Sequence, residues 1–520
     1  MVEEKIEIKT FRYAAGIAEI SSVDPIPINT LKVLDDKRGN KWLVKIVDHV
    51  SEDVRENPLR ALMAQFFGED AKFDVSKFLE TNPFFEYYTT NLANVSCQIN
   101  TGGFVKKKVP PTPGSVLKDL DDSVRSFFAN DLPIAWVKDT DILTGLSKMY
   151  FNKPIGIFGD SGSGKSNLAA NLMTEADYIK HLVNTIVVDS QFELALKLAR
   201  YVELNNISNV KILSVGGKLP KSLNLKVNPN EFFPDDWNNI FYFSQSQIAL
   251  LRKIYKQRKE HNDWLTYFLE EYEPTSGETK SYDAITRRLV SLVDDPLFDK
   301  EAEMHSLFKL LMGVVDNKYS LILDVSEIKE EELEKLICSY IAKVINNKRA
   351  EKRESKEYTD QDDFIKKTKP IWLVIEEAHR LLSAENPNKF FKILVKEERK
   401  NNTGLVIIEQ NPGALEKDFL RFMSTKLIMS LGVREDVRQI EETTTYISSR
   451  EEIMNQDKGE AQLIIQGEGG LPFAVPIYTW KYETKYLLKE CESCKKKFPI
   501  SELKNDKCSK CLDKDMDVFM

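Results

Sequence analysis

Along the chain the apolar residues change their period, and the change divides it. Up to about residue 135, Phe11 to Ile20, Thr30 to Leu34 and Lys41 to Val47 are short, often alternating segments separated by turn sequences such as Asp-Pro and Asp-Lys-Arg-Gly-Asn. That pattern predicts a small β-rich, barrel-like domain over 1–135, with one helical stretch around Asn57 to Phe67 and a loop at 106–114. From about 136 the period alternates between strand and helix, the signature of a mainly parallel α/β sheet. The expected strands are Ile155–Phe158, Thr185–Asp189, Val210–Val215, Ser320–Asp324, Ile371–Ile375, Gly404–Glu409 and Lys426–Ser430. Residues 230–315 lack strand signals and carry apolar positions at helical spacing, which predicts a helical insertion in a core of 136–485. The charged segment 346–370 reads as a helix end followed by an exposed loop.

The stretch GIFGDSGSGKSN, 156–167, is where this pattern acquires chemistry. Gly159, Gly164, Lys165 and Ser166 fit G-x-x-x-x-G-K-[ST] between a strand and a helix. Glycines let backbone N–H groups turn inward around phosphates, and the helix N-terminus adds partial positive charge. The loop from Gly159 through Asp160, Ser161, Gly162, Ser163 and Gly164 to Asn167 is thus a candidate ATP cradle. Lys165 would reach the β- and γ-phosphates, and Ser166 would ligate Mg²⁺. A structural glycine loop or a flexible linker would not need that lysine at that place.

Further on, Ile371-Trp372-Leu373-Val374-Ile375 reads as a buried strand ending in Glu376-Glu377-Ala378-His379. Ligands of parallel sheets bind at this end. Glu376 is assigned to Mg²⁺ through water, and Glu377 to polarising the attacking water. His379 either couples the site to substrate or packs a helix. The next strand ends in Gln410, a candidate sensor of the γ-phosphate or its water, or simply a turn residue. Arg399 precedes that strand. It would sit too far away to serve its own nucleotide, and is either a solvated helix residue or an arginine finger for a neighbouring subunit.

Composition adds boundaries. The 520 residues, 42% apolar and 30% charged, suit two to four globular domains. The absence of a signal-like or membrane-spanning run leads to an expected cytoplasmic location without membrane insertion. A net charge of −8 excludes a generally basic surface but not a basic channel. The basic runs 106–108, 253–259 and 348–353 read as solvated faces. Cys97 and Cys338 read as small buried apolar residues. Cys491/Cys494 and Cys508/Cys511 form two C-x-x-C pairs, which four-thiolate Zn²⁺ coordination would satisfy, giving a ribbon-like module over 486–520. Two redox pairs or two disulfides are the alternatives.

Taken together, the phosphate loop, VVDSQFE (187–193), LVIEEAHR, ERKNNTGLVIIEQNP (398–412) and KGEAQLIIQGEGGLPFAVPI (458–477) resemble the HerA branch of the HerA/FtsK family. The departures are Asn411-Pro412, where an arginine more often precedes the proline, and an N-terminal region longer and less regular than a minimal barrel. The resemblance implies a RecA-like P-loop ATPase core behind a small barrel, assembled as a homo-hexamer that moves double-stranded DNA, with a NurA-like nuclease as a partner. Alternatives within this frame are a type IV secretion-like DNA-transfer or DNA-import ATPase and an ATP-switched ring scaffold.

Overall fold

A computed structural model describes residues 13–14, 17–22, 26–35, 39–50, 89–100, 103–105, 116–120, 122–128, 130–258, 263–303, 306–382, 389–444, 450–467, 473–491, 495, 497–499, 503–504 and 507–508. The expected helix at 57–67, the loop at 106–114 and two of the zinc thiols, Cys494 and Cys511, lie outside these residues.

The N-terminal region is an antiparallel sheet. Its strand order is Tyr13–Ala14, Ile17–Ser22, Thr89–Asn100, Lys41–Val50, Leu31–Asp35, Val116–Lys118, with Gly103–Val105 on the side of Thr89–Asn100. Among the described residues no pairing closes this sheet on itself. Ile20, Leu34, Trp42, Val44, Ile46 and Leu117 form its core. The sheet is tied to the rest of the chain by a buried ion pair, Lys45 to Glu452 at 2.6 Å, and by Gln462 Nε2 donating to Asn29 at 3.2 Å.

The large sheet has twelve strands. Eight run parallel, in the order Leu223–Asn224, Val210–Ser214, Ser320–Asp324, Asn184–Asp189, Ile371–Glu376, Thr403–Glu409, Ile155–Phe158, Thr425–Ile428. Four antiparallel strands extend it: Glu460–Ile465, Val475–Tyr478, Leu132–Val137 and Leu143–Leu146. Leu132–Val137 therefore spans the boundary placed at 135.

Strand side chains alternate between the two faces, and both faces are covered. Ile186, Val188, Leu373, Ile375, Leu405 and Ile407 join one core with the inserted helices, through Trp237, Trp264, Phe268 and Leu289. Val187, Trp372, Val374, Val406 and Ile408 join the other, with Leu168 and Leu172 of the phosphate-loop helix. This is why these strands read as continuous apolar runs. The insertion is helical as expected, with helices Pro234–Phe241, Gln245–Arg258, Trp264–Glu270, Thr279–Val293 and Ser306–Val315.

Segment 346–370 opens on the expected helix end, and departs from expectation in a second helix and in Arg349. The helix Glu331–Arg353 continues through the basic run, and a second helix, Gln361–Lys367, follows, capped by the Asp360 side chain. Arg349 is not solvated. It is fully buried over the Phe364 ring, its centre 4.7 Å away, and donates to the carbonyls of Asn401, Lys369 and Asn402 and to Thr368 Oγ1. Phe364 supplies the apolar anchor that holds the expected loop down.

At the C-terminal side, Asn167 and Asn171 of the phosphate-loop helix both donate to Trp480 O, at 2.9 Å each. Tyr482 N donates to Asn167 Oδ1 at 2.7 Å, and the Tyr482 and Thr174 hydroxyls bond at 2.8 Å. Beyond this lie two small antiparallel pairings, Leu488–Glu490 with Lys497–Pro499 and Leu503–Lys504 with Lys507–Cys508.

Candidate nucleotide site

The phosphate loop leaves the sheet between two neighbours. Gly159 N donates to Glu409 O on one side and Asp160 N to Ser430 O on the other. A Cβ on Gly159 would stand 2.7 Å from Ser163 Oγ and 2.8 Å from Met429 Cβ, so only glycine fits this close approach. Gly164, with φ 116°, caps the helix Lys165–Met173. The Asp160 carbonyl accepts from Ser163 Oγ at 2.8 Å and from Lys165 Nζ at 2.9 Å. Burial pushes the Lys165 pKa down against the opposing pull of Glu377, Asp160, Glu376 and Glu409. The Lys165 ammonium supplies positive charge for phosphate oxygens beside the inward-turned N–H groups of the loop. Ser161 is exposed and Gly162, with φ 80°, has open space around its Cα. The Asn167 side chain is engaged by Trp480 O, to which it donates, and by Tyr482 N, from which it accepts.

Beside the loop the acids separate into two groups. Glu376 is buried, and its Oε2 has no hydrogen-bond partner among the described residues. Its pKa is pushed up to about 10, first by burial, then by Asp189, Glu193 and Glu377. Asp189, fully buried, accepts from Gln191 N and Ala195 N at 2.7 Å each and so holds the start of the helix Glu193–Leu204. Glu193 accepts from Ser166 Oγ at 3.3 Å. Ser166, Glu193 and Glu376 offer oxygen donors of the kind Mg²⁺ takes, and Glu193 is also paired with Lys197 Nζ at 2.6 Å.

The second group surrounds Glu377, which follows the strand with φ 51°. Gln410 Nε2 donates to Glu377 Oε1 at 2.6 Å, so the structure brings together two residues 33 positions apart. Glu409, fully buried, accepts from His379 N at 2.7 Å and Asn411 N at 2.7 Å. His379 Nδ1 lies 3.1 and 3.0 Å from the two Glu409 oxygens and 3.5 Å from Glu377. The hydrogen bond to Glu409 raises the His379 pKa. A cleft of about 390 Å³, lined by Asp160, Gln410, Asn411, Gly413, Val433 and Asp436, opens beside this group.

Arg399 does not join either group. It is exposed in the last turn of the helix Lys389–Asn401, at the N-terminal end of the seven-residue strand whose other end carries Gln410. At ~3.3 Å per residue that strand holds the two roughly 20 Å apart. Reading the sequence missed Asp189 and Glu409 as site residues. The available signal was the same for both, an acid closing an apolar strand, as in Glu376.

Residues 134–345 match the family described as helicase HerA, central domain. The DNA double-strand break repair helicase HerA of Sulfolobus acidocaldarius is 24% identical over 429 residues, 77% of this chain and 80% of that protein. Its counterpart in Sulfurisphaera tokodaii is 22% identical over 399 residues, 71% of this chain and 74% of the other. A probable helicase of Methanocaldococcus jannaschii is 23% identical over 515 residues, 90% and 93% of the two chains. Among solved structures, VirB4 of Thermoanaerobacter pseudethanolicus aligns with TM-score 0.48 and 15% identity, covering 68% of this chain and 97% of that one. The plasmid coupling protein TrwB with a non-hydrolysable ATP analogue aligns with TM-score 0.48 and 11% identity, covering 68% and 91%. Over residues 134–345 the chain is similar to the HerA central domain, and over most of its length to HerA helicases.

Proposed function

We propose that the protein couples ATP hydrolysis to movement along double-stranded DNA as a ring of identical subunits, six by the family resemblance. The observation that carries the chemical half is the Glu377–Gln410 contact beside the phosphate loop. An acid and an amide from neighbouring strands converge where a water must be oriented against a γ-phosphate. Lys165 holds the β- and γ-phosphates, and Gln410 orients the water that Glu377 polarises. Ser166 and Glu376 hold Mg²⁺, with Asp189 and Glu193 behind them; when bound, the ion neutralises charge on the phosphates. Arg399, out of reach of its own subunit's site, serves the adjacent one and stabilises the charge that develops during transfer.

DNA as the substrate is supported by the helicase relatives and by the family of the central domain. A NurA-like nuclease is the partner this reading implies. Among the described residues no helix is long and apolar enough to cross a membrane. In the tail, Cys491 is buried directly after Leu488–Glu490, and we assign it with Cys494, Cys508 and Cys511 to one Zn²⁺.

The test is ATP turnover against linear duplex DNA, read with displacement of a bound protein or strand and with imaging of the particle. DNA-stimulated turnover with displacement by a ring is the expected result. Turnover indifferent to DNA would replace the motor with an ATP-switched scaffold, and association with a membrane machine would favour DNA transfer.

A further inference from the structure

We propose that Glu409 and His379 form a positioning pair that locks the turn carrying Glu377 to the turn carrying Gln410. The inference rests on the ATPase reading of the site and extends it to two residues that do not touch the reacting atoms.

Glu409 stands at the end of the strand Thr403–Glu409 and is fully buried. A carboxylate in such a place is expensive unless its oxygens are engaged. They are engaged from two directions. His379 N, on the turn after the strand Ile371–Glu376, donates to Oε2, and Asn411 N, on the turn after Gln410, donates to Oε1. His379 Nδ1 lies within hydrogen-bond distance of both oxygens. One side chain thus fastens the backbones on either side of the contact between Gln410 Nε2 and Glu377 Oε1. A carboxylate suits this role because both its oxygens accept. An amide would turn an NH₂ toward one of the donors.

The pair also accounts for the backbone at Glu377. A left-handed conformation at a glutamate is strained and persists only where its surroundings hold it. The fixed point two residues later is the His379 amide on Glu409. Nδ1 is committed to Glu409 on a ring that is partly exposed. The water-polarising acid and the sensor amide are therefore set by one buried carboxylate rather than by their own rotamers. Groups that orient a reacting residue in this way are worth about 10–100-fold in activity.

The experiment measures ATP turnover, equilibrium binding of a fluorescent ATP analogue and thermal midpoint for Glu409→Gln, His379→Phe and His379→Asn in the full-length protein. Glu409→Gln should lower kcat roughly 10–100-fold while nucleotide affinity stays at the wild-type value. His379→Phe should fall in the same direction. His379→Asn should recover most of the activity, because its amide N–H replaces Nδ1–H toward Glu409. A merely structural role would lower the thermal midpoint and nucleotide affinity with kcat, and Asn would rescue nothing. If Glu409→Gln does not fold, the two His379 variants decide: an inactive Phe and an active Asn support the pair, and a fully active Phe overturns it. Near-wild-type kcat in Glu409→Gln overturns it as well. Absence of both nucleotide binding and ATP turnover in the wild-type protein would instead overturn the ATPase reading beneath it, so the two failures are distinguishable.

Discussion

Glu376 and Glu377 are adjacent, yet their surroundings are opposite. On the Glu376 side, Asp189 and Glu193 add negative charge, one carboxylate oxygen has no partner among the described residues, and the acid is driven toward its protonated form. On the Glu377 side, the acid and its neighbours are tied by Gln410, His379 and two backbone amides. The first arrangement leaves a buried carboxylate oxygen unpaired among the described residues. The second is complete as folded. Ligand-binding power here comes from leaving polar groups short of partners, whereas orientation comes from giving every group one.

The largest effects should come from the loop and from the finished side. Lys165→Ala should abolish productive nucleotide binding, whereas Glu377→Gln should keep ATP bound and stop turnover, as measured by paired binding and hydrolysis assays. Turnover near the wild-type rate in Glu377→Gln would show that the finished side does not hold the catalytic acid.

Next comes the group that belongs to neither side within one subunit. Arg399→Ala should cut hydrolysis on the order of a thousand-fold with nucleotide affinity intact. Mixing it with Glu377→Gln subunits should restore part of the activity, since some interfaces then pair an intact acid with an intact arginine. No recovery in well-mixed rings would remove Arg399 from catalysis.

A smaller effect should separate the two sides by pH. The Glu376 carboxyl titrates higher folded than unfolded, so its protonated form favours folding. The stability it contributes is present below its unfolded value of 4.5 and is lost as pH rises toward the folded value. Mg²⁺ favours the ionised form. The gain in thermal midpoint from Mg²⁺ with ADP should therefore grow between about pH 6 and pH 8.5, and Glu376→Gln should flatten the trend. A gain independent of pH would mean that the incomplete side is not the metal side.

The smallest effect on catalysis should come from the tail. One zinc per chain is expected by metal analysis, lost in Cys508→Ser with a newly protease-sensitive tail, while ATP turnover stays near wild type. Purified protein without zinc and with four freely reactive thiols would remove the metal from the tail.

The loop and the strand before Glu376 were readable because each is a local pattern: glycines that admit a phosphate, and a run of apolar residues that both faces of a parallel sheet require. Gln410 was readable as the polar tip of a similar run. The partners of these residues were not. Asp189 and Glu409 look like strand-terminal acids until pairing shows which backbone amides they receive. Arg349 looks like one more charge in a basic run until the Phe364 ring and four acceptors surround it. The antiparallel strands Leu132–Val137 and Glu460–Ile465 escaped for the same reason, since their partners lie far away in sequence. Thr89–Asn100, the long strand at the centre of the N-terminal sheet, was missed too.

One of those pairings bears on how the protein is made. Val137 lies opposite Ile477 in the sheet, 340 residues later in the chain. At about 5–20 residues per second, a ribosome needs roughly 17–70 s to deliver the second strand after the first. For that interval Leu132–Val137 offers an unpaired edge beside a growing apolar sheet, a template for association with other nascent chains. Yield of soluble protein should accordingly depend on chaperones that cover this edge, and slower translation should lengthen the exposure.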